Sequence, residues 1–552
     1  MDRRNLLTAQ KKKIVRSVTA EPPRTLSGLN PYSGAWTNNE LQHLLKRTMF
    51  GSRKSDLAFF SNLSMSAAVD VLLNPTAPIP SPPVNEYNNA TITDPAVAPG
   101  QTWVNNYTTD GNINSARRQS FKEWWMGNQI NQDRSIREKM TLFWANHFAT
   151  ESVDVSNANW VYWHHALLRQ NALGNFKQLL KSVTIDTAML RYLNGYLNTK
   201  SAPDENYARE LQELFTIGKD SQNLFTEDDV KKAAMVLTGW RTNNTSSVGF
   251  FDATRHDTTN KQFSAFYNNT VITGKTGAAG ATETDDLINM ILGKNEVALY
   301  ICRRIYRWFV YYKIDAAAES NVIQPLADIF RNNNYEIKPV LSALLKSEHF
   351  YDVLNQGCQI KSPVDHVVSC LREFNVVFPD SVTAYADAYG MWNYIKGWTA
   401  SMGQDLADPP SVSGWPAYYQ VPLFYEIWIN SDTLPKRNRF TDTMINSGYT
   451  RNGKRIIIDV VGFTKTLTNP GDPNALIDEV LSIMYRVPLS AGTKQNMKQQ
   501  LLLSNQVQDY YWTNAWVAYI QDPSNQNNFT TVNTRLKELY KYLMNLAEYQ
   551  LA

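Results

Sequence analysis

The segment PDENYARELQELFTIGKDSQNLFTEDDVKKAAMVLTGW, residues 203–240, places its apolar side chains at helical intervals twice in succession. On a wheel of about 3.6 residues per turn, Tyr207, Leu211, Leu214 and Phe215 form one stripe, and Asn206, Glu210 and Glu213 fall together along its edge. Two carboxylates and an amide are therefore expected to project side by side. Gly218 suits the left-handed residue that closes a helix. Thr226 with Asp229 three residues on makes a capping-box start for a second helix, which carries Val230, Ala233, Leu237 and Trp240 on one face, as a packed partner requires.

The same period predicts a helix over Trp36 to Phe50, with Thr37 as its N-cap and Leu41, Leu44 and Leu45 inward. Helices return at Asn114 and continue with short breaks to Asn198, one of them setting Ile136, Met140, Phe143, Trp144 and His147 on a broad apolar side. A further helix is expected over 285–312, another from Pro363, whose ring suits a first helical position, and a last amphipathic one from Thr531 to Leu551. Between them, the proline-rich residues 74–111 read as a long surface loop. Residues 243–280 read as an irregular excursion with a hairpin near Thr270-Val271-Ile272. The expected fold is all-α: a large multi-helical assembly with a single continuous core and long irregular loops. It divides into a flexible basic arm over 1–36, a helical core over 37–440 and a helical part over 441–552 packed on that core. No period of roughly 20 to 50 residues recurs, which excludes a solenoid.

Composition narrows the function classes. The 552 residues are 43% hydrophobic and 19% charged, a globular balance, and a net charge of +3 gives no electrostatic argument for nucleic acid. Aromatics reach 12%, with 15 Trp and 28 Tyr, and serve either packing or flat platforms under sugar rings. Cys302, Cys358 and Cys370 show no metal-binding or redox spacing and read as small buried hydrophobes. Arg3-Arg4 resembles the start of a twin-arginine export signal, but Thr8-Ala9-Gln10-Lys11-Lys12-Lys13 stands where its apolar segment should begin. With no apolar run of about 18 residues, no transmembrane segment is expected, and these residues alone point to the cytoplasm.

The run ENYARELQELFTIG followed by FTEDDVKKAAMVLTGW resembles the central signature of the bacterial DUF1800 family, named for its lack of known function. Four further blocks agree in type and order: Leu41 to Arg47 with Phe50-Gly51; Arg137 to Met140 through Phe143 to Phe148; Arg255-His256-Asp257 with Lys261-Gln262-Phe263; and Met402-Gly403-Gln404 with Pro409-Pro410 and Gly414-Trp415-Pro416. The resemblance covers residues 38–440 closely. It implies an extracytoplasmic location, against the cytoplasmic reading above. It also implies a further histidine where this chain has Ala145, so an imidazole donated there is missing.

Chemistry is expected at one polar centre. Carboxylates at i and i+3, Glu210 and Glu213, can share a divalent ion, and His147 with His256 would complete an N/O ligand set for Zn, Mn or Fe. A water on that ion would be a nucleophile near neutral pH. Asp257 beside His256, with Lys261, could orient the imidazole as a general base, and Asn206 would support the set. The plain alternatives are a Glu213–Arg209 pair, a satisfied core histidine at 147, and a loop in which Asp257 makes an Asx turn while His256 bonds to backbone. Tandem His164-His165 read as structural. The loop from Met402 to Trp415 reads as either a pocket rim or a plug. Two functions follow: a metal-assisted hydrolase acting on cell-envelope material, or a non-catalytic envelope scaffold that binds a protein partner or a glycan and whose interhelical polar network fixes helix register.

Overall fold

A computed structural model describes residues 23–219, 224–415 and 428–552. The protein is mainly helical, with small two-stranded antiparallel sheets among the described residues. Many helices begin where a side chain takes up a backbone N–H that the first turn leaves unpaired. Thr37 caps Asn38–Thr48, and Glu40 completes a capping box. Asp110, Asn157, Asn175 and Ser362 cap Gly111–Ile130, Ala158–Gln170, Phe176–Thr184 and Pro363–Glu373 in the same way. Within 203–240 the helices are Asn206–Glu213 and Glu227–Val236; Gly218 takes a φ of +83°, and Thr226 and Asp229 exchange the capping-box hydrogen bonds. Trp240 leaves the helix for a short strand with Arg241. Residues 220–223 lie outside the described residues.

Buried side chains form two clusters, with Ala145, Tyr192 and Trp308 packed against both. Helix Arg137–His147 is a partition: Met140, Phe143 and Trp144 join the first cluster and Leu142 joins the second. The first cluster gathers Asn206–Glu213, Glu227–Val236, Glu283–Leu292, Asn295–Phe309 and Ile337–Leu345. The second gathers Gly111–Ile130, Pro363–Glu373, Tyr385–Ser401, Thr433–Asn446, Pro473–Met484 and Gln526–Asn545.

Other differences have local causes. The helix expected over 285–312 is two, broken at Gly293 between Glu283–Leu292 and Asn295–Phe309. The C-terminal part is not wholly helical: Tyr449–Arg451 pairs with Lys454–Ile456 across Asn452 and Gly453, whose φ values of +47° and +76° suit the asparagine–glycine hairpin turn. The excursion after Trp240 holds two hairpins, Trp240–Arg241 with Phe250–Phe251 and Lys261–Gln262 with Val271–Ile272. The proline-rich loop is tied down by a buried Asp94–Arg117 ion pair of 2.6 Å. Residues 1–22, which include the arginine pair, lie outside the described residues, and the rest of the expected arm is anchored: Arg24 N donates to Asp315 at 2.9 Å and Gly28 N to Glu348 at 3.0 Å. No described helix is long and apolar enough to cross a membrane.

Candidate functional site

Helix Asn206–Glu213 presents its polar edge outward from the first cluster. Asn206 is exposed and Glu210 half-buried, its carboxyl held above the usual range by burial and then by Glu213. Glu213 is buried and ion-pairs with Arg209 at 3.6 Å and with Lys219. His147 sits elsewhere in the packing, edge-on to Trp144 and Phe148 and near Phe215. Its Nε2 meets Phe215 O at 3.0 Å, while burial, with Arg304 adding to it, pushes its pKa well down. A neutral imidazole donating to that carbonyl ties helix Arg137–His147 to the end of the Asn206–Glu213 segment.

His256 belongs to a second constellation that the sequence did not reveal. Its Nδ1 faces Thr238 O and its Nε2 faces Glu283 Oε1, both at 2.9 Å. Glu283 Oε2 accepts from Lys261 Nζ at 2.7 Å, and Lys275 N donates to Oε1 at 2.6 Å. Both ring nitrogens therefore have a hydrogen-bond partner. Asp257 does not orient this ring: its Oδ1 accepts from Thr259 N at 2.8 Å, the Asx-turn alternative, and lies 3.6 Å from Lys261 Nζ. His256, Glu283 and Lys261 are all buried.

His147, Glu210, Glu213 and His256 therefore do not assemble as the ligand set expected of them. Among the described residues no group of three or more His, Cys, Asp or Glu side chains is arranged to hold a metal ion. The reason is local: Phe215 O takes one His147 nitrogen, Thr238 O and Glu283 take both of His256, and lysine and arginine take Glu213. His164 bonds Asp186 at 2.9 Å and Phe148 O at 3.1 Å, and His165 is packed among Phe121, Trp124 and Trp125.

A cavity of about 80 Å³ lies at the seam of the two apolar clusters. A water needs roughly 10–15 Å³, so this space suits several waters or one small organic molecule. Its wall draws on three of the sequence blocks singled out above: Lys46 and Arg47 from the first, Lys139 and Asn146 from the second, Gln404 and Trp415 from the last. Arg307, Lys361 and Asp365 are also on the wall. The last block is bolted to the second at Gly414, whose φ is +90°. A β-carbon there would lie 2.3 Å from Asn146 Oδ1, the same oxygen that accepts from Trp415 N at 2.7 Å. Of the two readings of the 402–415 loop, this placement favours the rim; Pro416 lies outside the described residues.

Charge on this wall is lopsided. Lys46 pairs with buried Glu373, and Lys139 pairs with Asp365. Among the described residues Arg47 is bonded through Nη2, to Asn355 O at 3.1 Å and Cys358 Sγ at 3.3 Å, and its Nε and Nη1 are buried without a partner. Lys361 Nζ is likewise buried with no hydrogen bond to a described residue, 4.0 Å from the Tyr549 ring centre. Burial first, then Lys46 and Arg437, push the Lys361 ammonium down to about 7, with Glu373 working the other way. The nearby start of helix Pro363–Glu373 adds a favourable dipole for anions, but its N–H groups are taken: Val364 N by Gln404 at 2.9 Å and Asp365 N by Ser362 at 3.1 Å. Donors for a ligand must come from side chains. Sequence reasoning had Arg47 and Lys139 in hand as block members without a role. Lys361 and Glu283 carried no local signal.

The family model described as "Protein of unknown function (DUF1800)" matches residues 43–551. No curated protein and no solved structure matches the chain.

Proposed function

The chain belongs to the DUF1800 family, whose description assigns no activity, and we propose that this member binds a small oxyanion, a carboxylate or phosphate, in the basic cavity. One observation carries the reading: two buried cations, Arg47 and Lys361, stand on the wall of a cavity with no carboxylate in ion-pair contact among the described residues. An unpaired buried charge costs several kcal/mol, and an anion in the cavity offsets that cost with charge-assisted hydrogen bonds. The cavity suits a small anion better than an oligosaccharide, which draws the reading away from hydrolysis of envelope glycans.

Calorimetric titration of the full chain with inorganic phosphate and with propionate tests it. Binding of either should weaken as pH rises through about 7, where Lys361 loses its charge, and Arg47→Met should weaken it about tenfold or more. Absence of heat from both anions would sink the reading. The scaffold reading keeps one support of its own: the His256–Glu283–Lys261 network is buried, and it binds the 238–261 segment to the helix that starts at Glu283.

A further inference from the structure

Resting on the anion site just described, we propose that Lys361 is a covalent centre: its amine forms an imine with the carbonyl of a small oxo acid whose carboxylate is held by Arg47. Three features carry this. Among the described residues Lys361 Nζ has no hydrogen-bond partner, which leaves its lone pair or its protons to a ligand. Burial and the neighbouring Lys46 and Arg437 hold its ammonium down against Glu373 and Cys370, which work the other way, and Tyr549 offers a ring face. A lysine desolvated beside other cations is the arrangement that frees an amine to act as a nucleophile near neutral pH. The unpartnered Nε and Nη1 of Arg47 lie on different edges of the guanidinium, and each offers an N–H donor to a carboxylate oxygen.

The other wall lysines differ in this respect. Burial lowers Lys46 and Lys139 too, but each is bonded to a carboxylate, Glu373 and Asp365, that favours its charged form. The step balances without a co-reactant: the Lys361 nitrogen attacks the carbonyl carbon, the C–N bond forms, and the two amine protons leave with the carbonyl oxygen as water. The pH signature also differs from that of simple anion binding. Anion affinity is greatest with Lys361 charged, whereas imine formation requires the neutral amine and accelerates as pH rises through about 7.

The test incubates the full chain with pyruvate and sodium cyanoborohydride, followed by intact-mass measurement and peptide mapping. One reduced adduct per chain at Lys361 is expected. Its rate should rise with pH and fall about tenfold or more with excess propionate, and it should be absent from Lys361→Arg. The pH and competition arms use the unsubstituted chain, so they hold whether or not the variant folds. Adduct scattered over exposed lysines, or none at Lys361, overturns the proposal. If propionate binds and no adduct forms, the imine fails and the anion site stands; if propionate does not bind and no adduct forms, both fall.

Discussion

Two of the buried charge clusters among the described residues differ in how their charges are answered. Around Glu283, His256, Lys261 and nearby Asp257 each meet a partner: the carboxylate faces both the imidazole and the Lys261 ammonium, and backbone groups of Thr238, Thr259 and Lys275 complete the set. Around Lys361, the described wall cations outnumber the described carboxylates, and donors of Arg47 and Lys361 face no acceptor among the described residues. Satisfied buried networks rigidify a fold, whereas unsatisfied ones are costly unless something else completes them. The first cluster therefore reads as a lock, and the second as a place for a ligand.

Glu283→Ala should have the largest effect. It strips the shared acceptor from His256 and Lys261 and should cost about 3–5 kcal/mol in urea unfolding, without altering propionate affinity per folded molecule. A loss below about 1 kcal/mol would end the distinction between the clusters. Next, Lys361→Met should stabilise the protein by about 1–4 kcal/mol at pH 6, because it replaces a buried, unanswered cation with an apolar chain of similar shape. The sign follows from linkage. The unfolded lysine keeps its proton to about pH 10.4 and the folded one only to about 7, so the unfolded state binds more protons in that window and native stability rises with pH across it. The gap in Tm between the variant and the parent should thus be widest below pH 7 and close by about pH 10.

Gly414→Ala should be milder in stability, about 1–3 kcal/mol by strain at a positive φ. It should still weaken propionate binding, because the rim would have to move off Asn146. The smallest effect belongs to the centre first suspected. Glu210→Gln should change stability by no more than about 0.5 kcal/mol, its carboxyl being half-buried and bonded to no ligand-like neighbour, and EDTA should leave Tm unchanged. A chelator-induced drop in Tm would return a metal to the account.

Much of the fold was legible beforehand for a plain reason: helix starts and periods are written in adjacent residues. Thr37 and Thr226 cap helices where the spacing places them, and Pro363 stands in a first turn. The Asn452-Gly453 hairpin interrupts the helical C-terminal region with a turn signal that is also local. The site was another matter. Glu210 and Glu213 were correctly set on one helix edge, but nothing in that edge reveals that Lys219 and Arg209 answer Glu213, or that Phe215 O claims His147. Of the two readings of the 402–415 loop, the rim is the one that Gln404 and Trp415 support.

By itself the sequence determined a mainly helical chain, its caps, most helix faces and its family, since each depends on residues within a few turns of one another. Only the tertiary structure decided that the interior splits into two clusters, that Glu283 rather than Asp257 holds His256, and that Arg47 and Lys361, more than 300 positions apart, share one cavity wall. Whether a buried charge is answered or left open depends on what long-range packing brings within hydrogen-bond reach, and no local pattern encodes that distance.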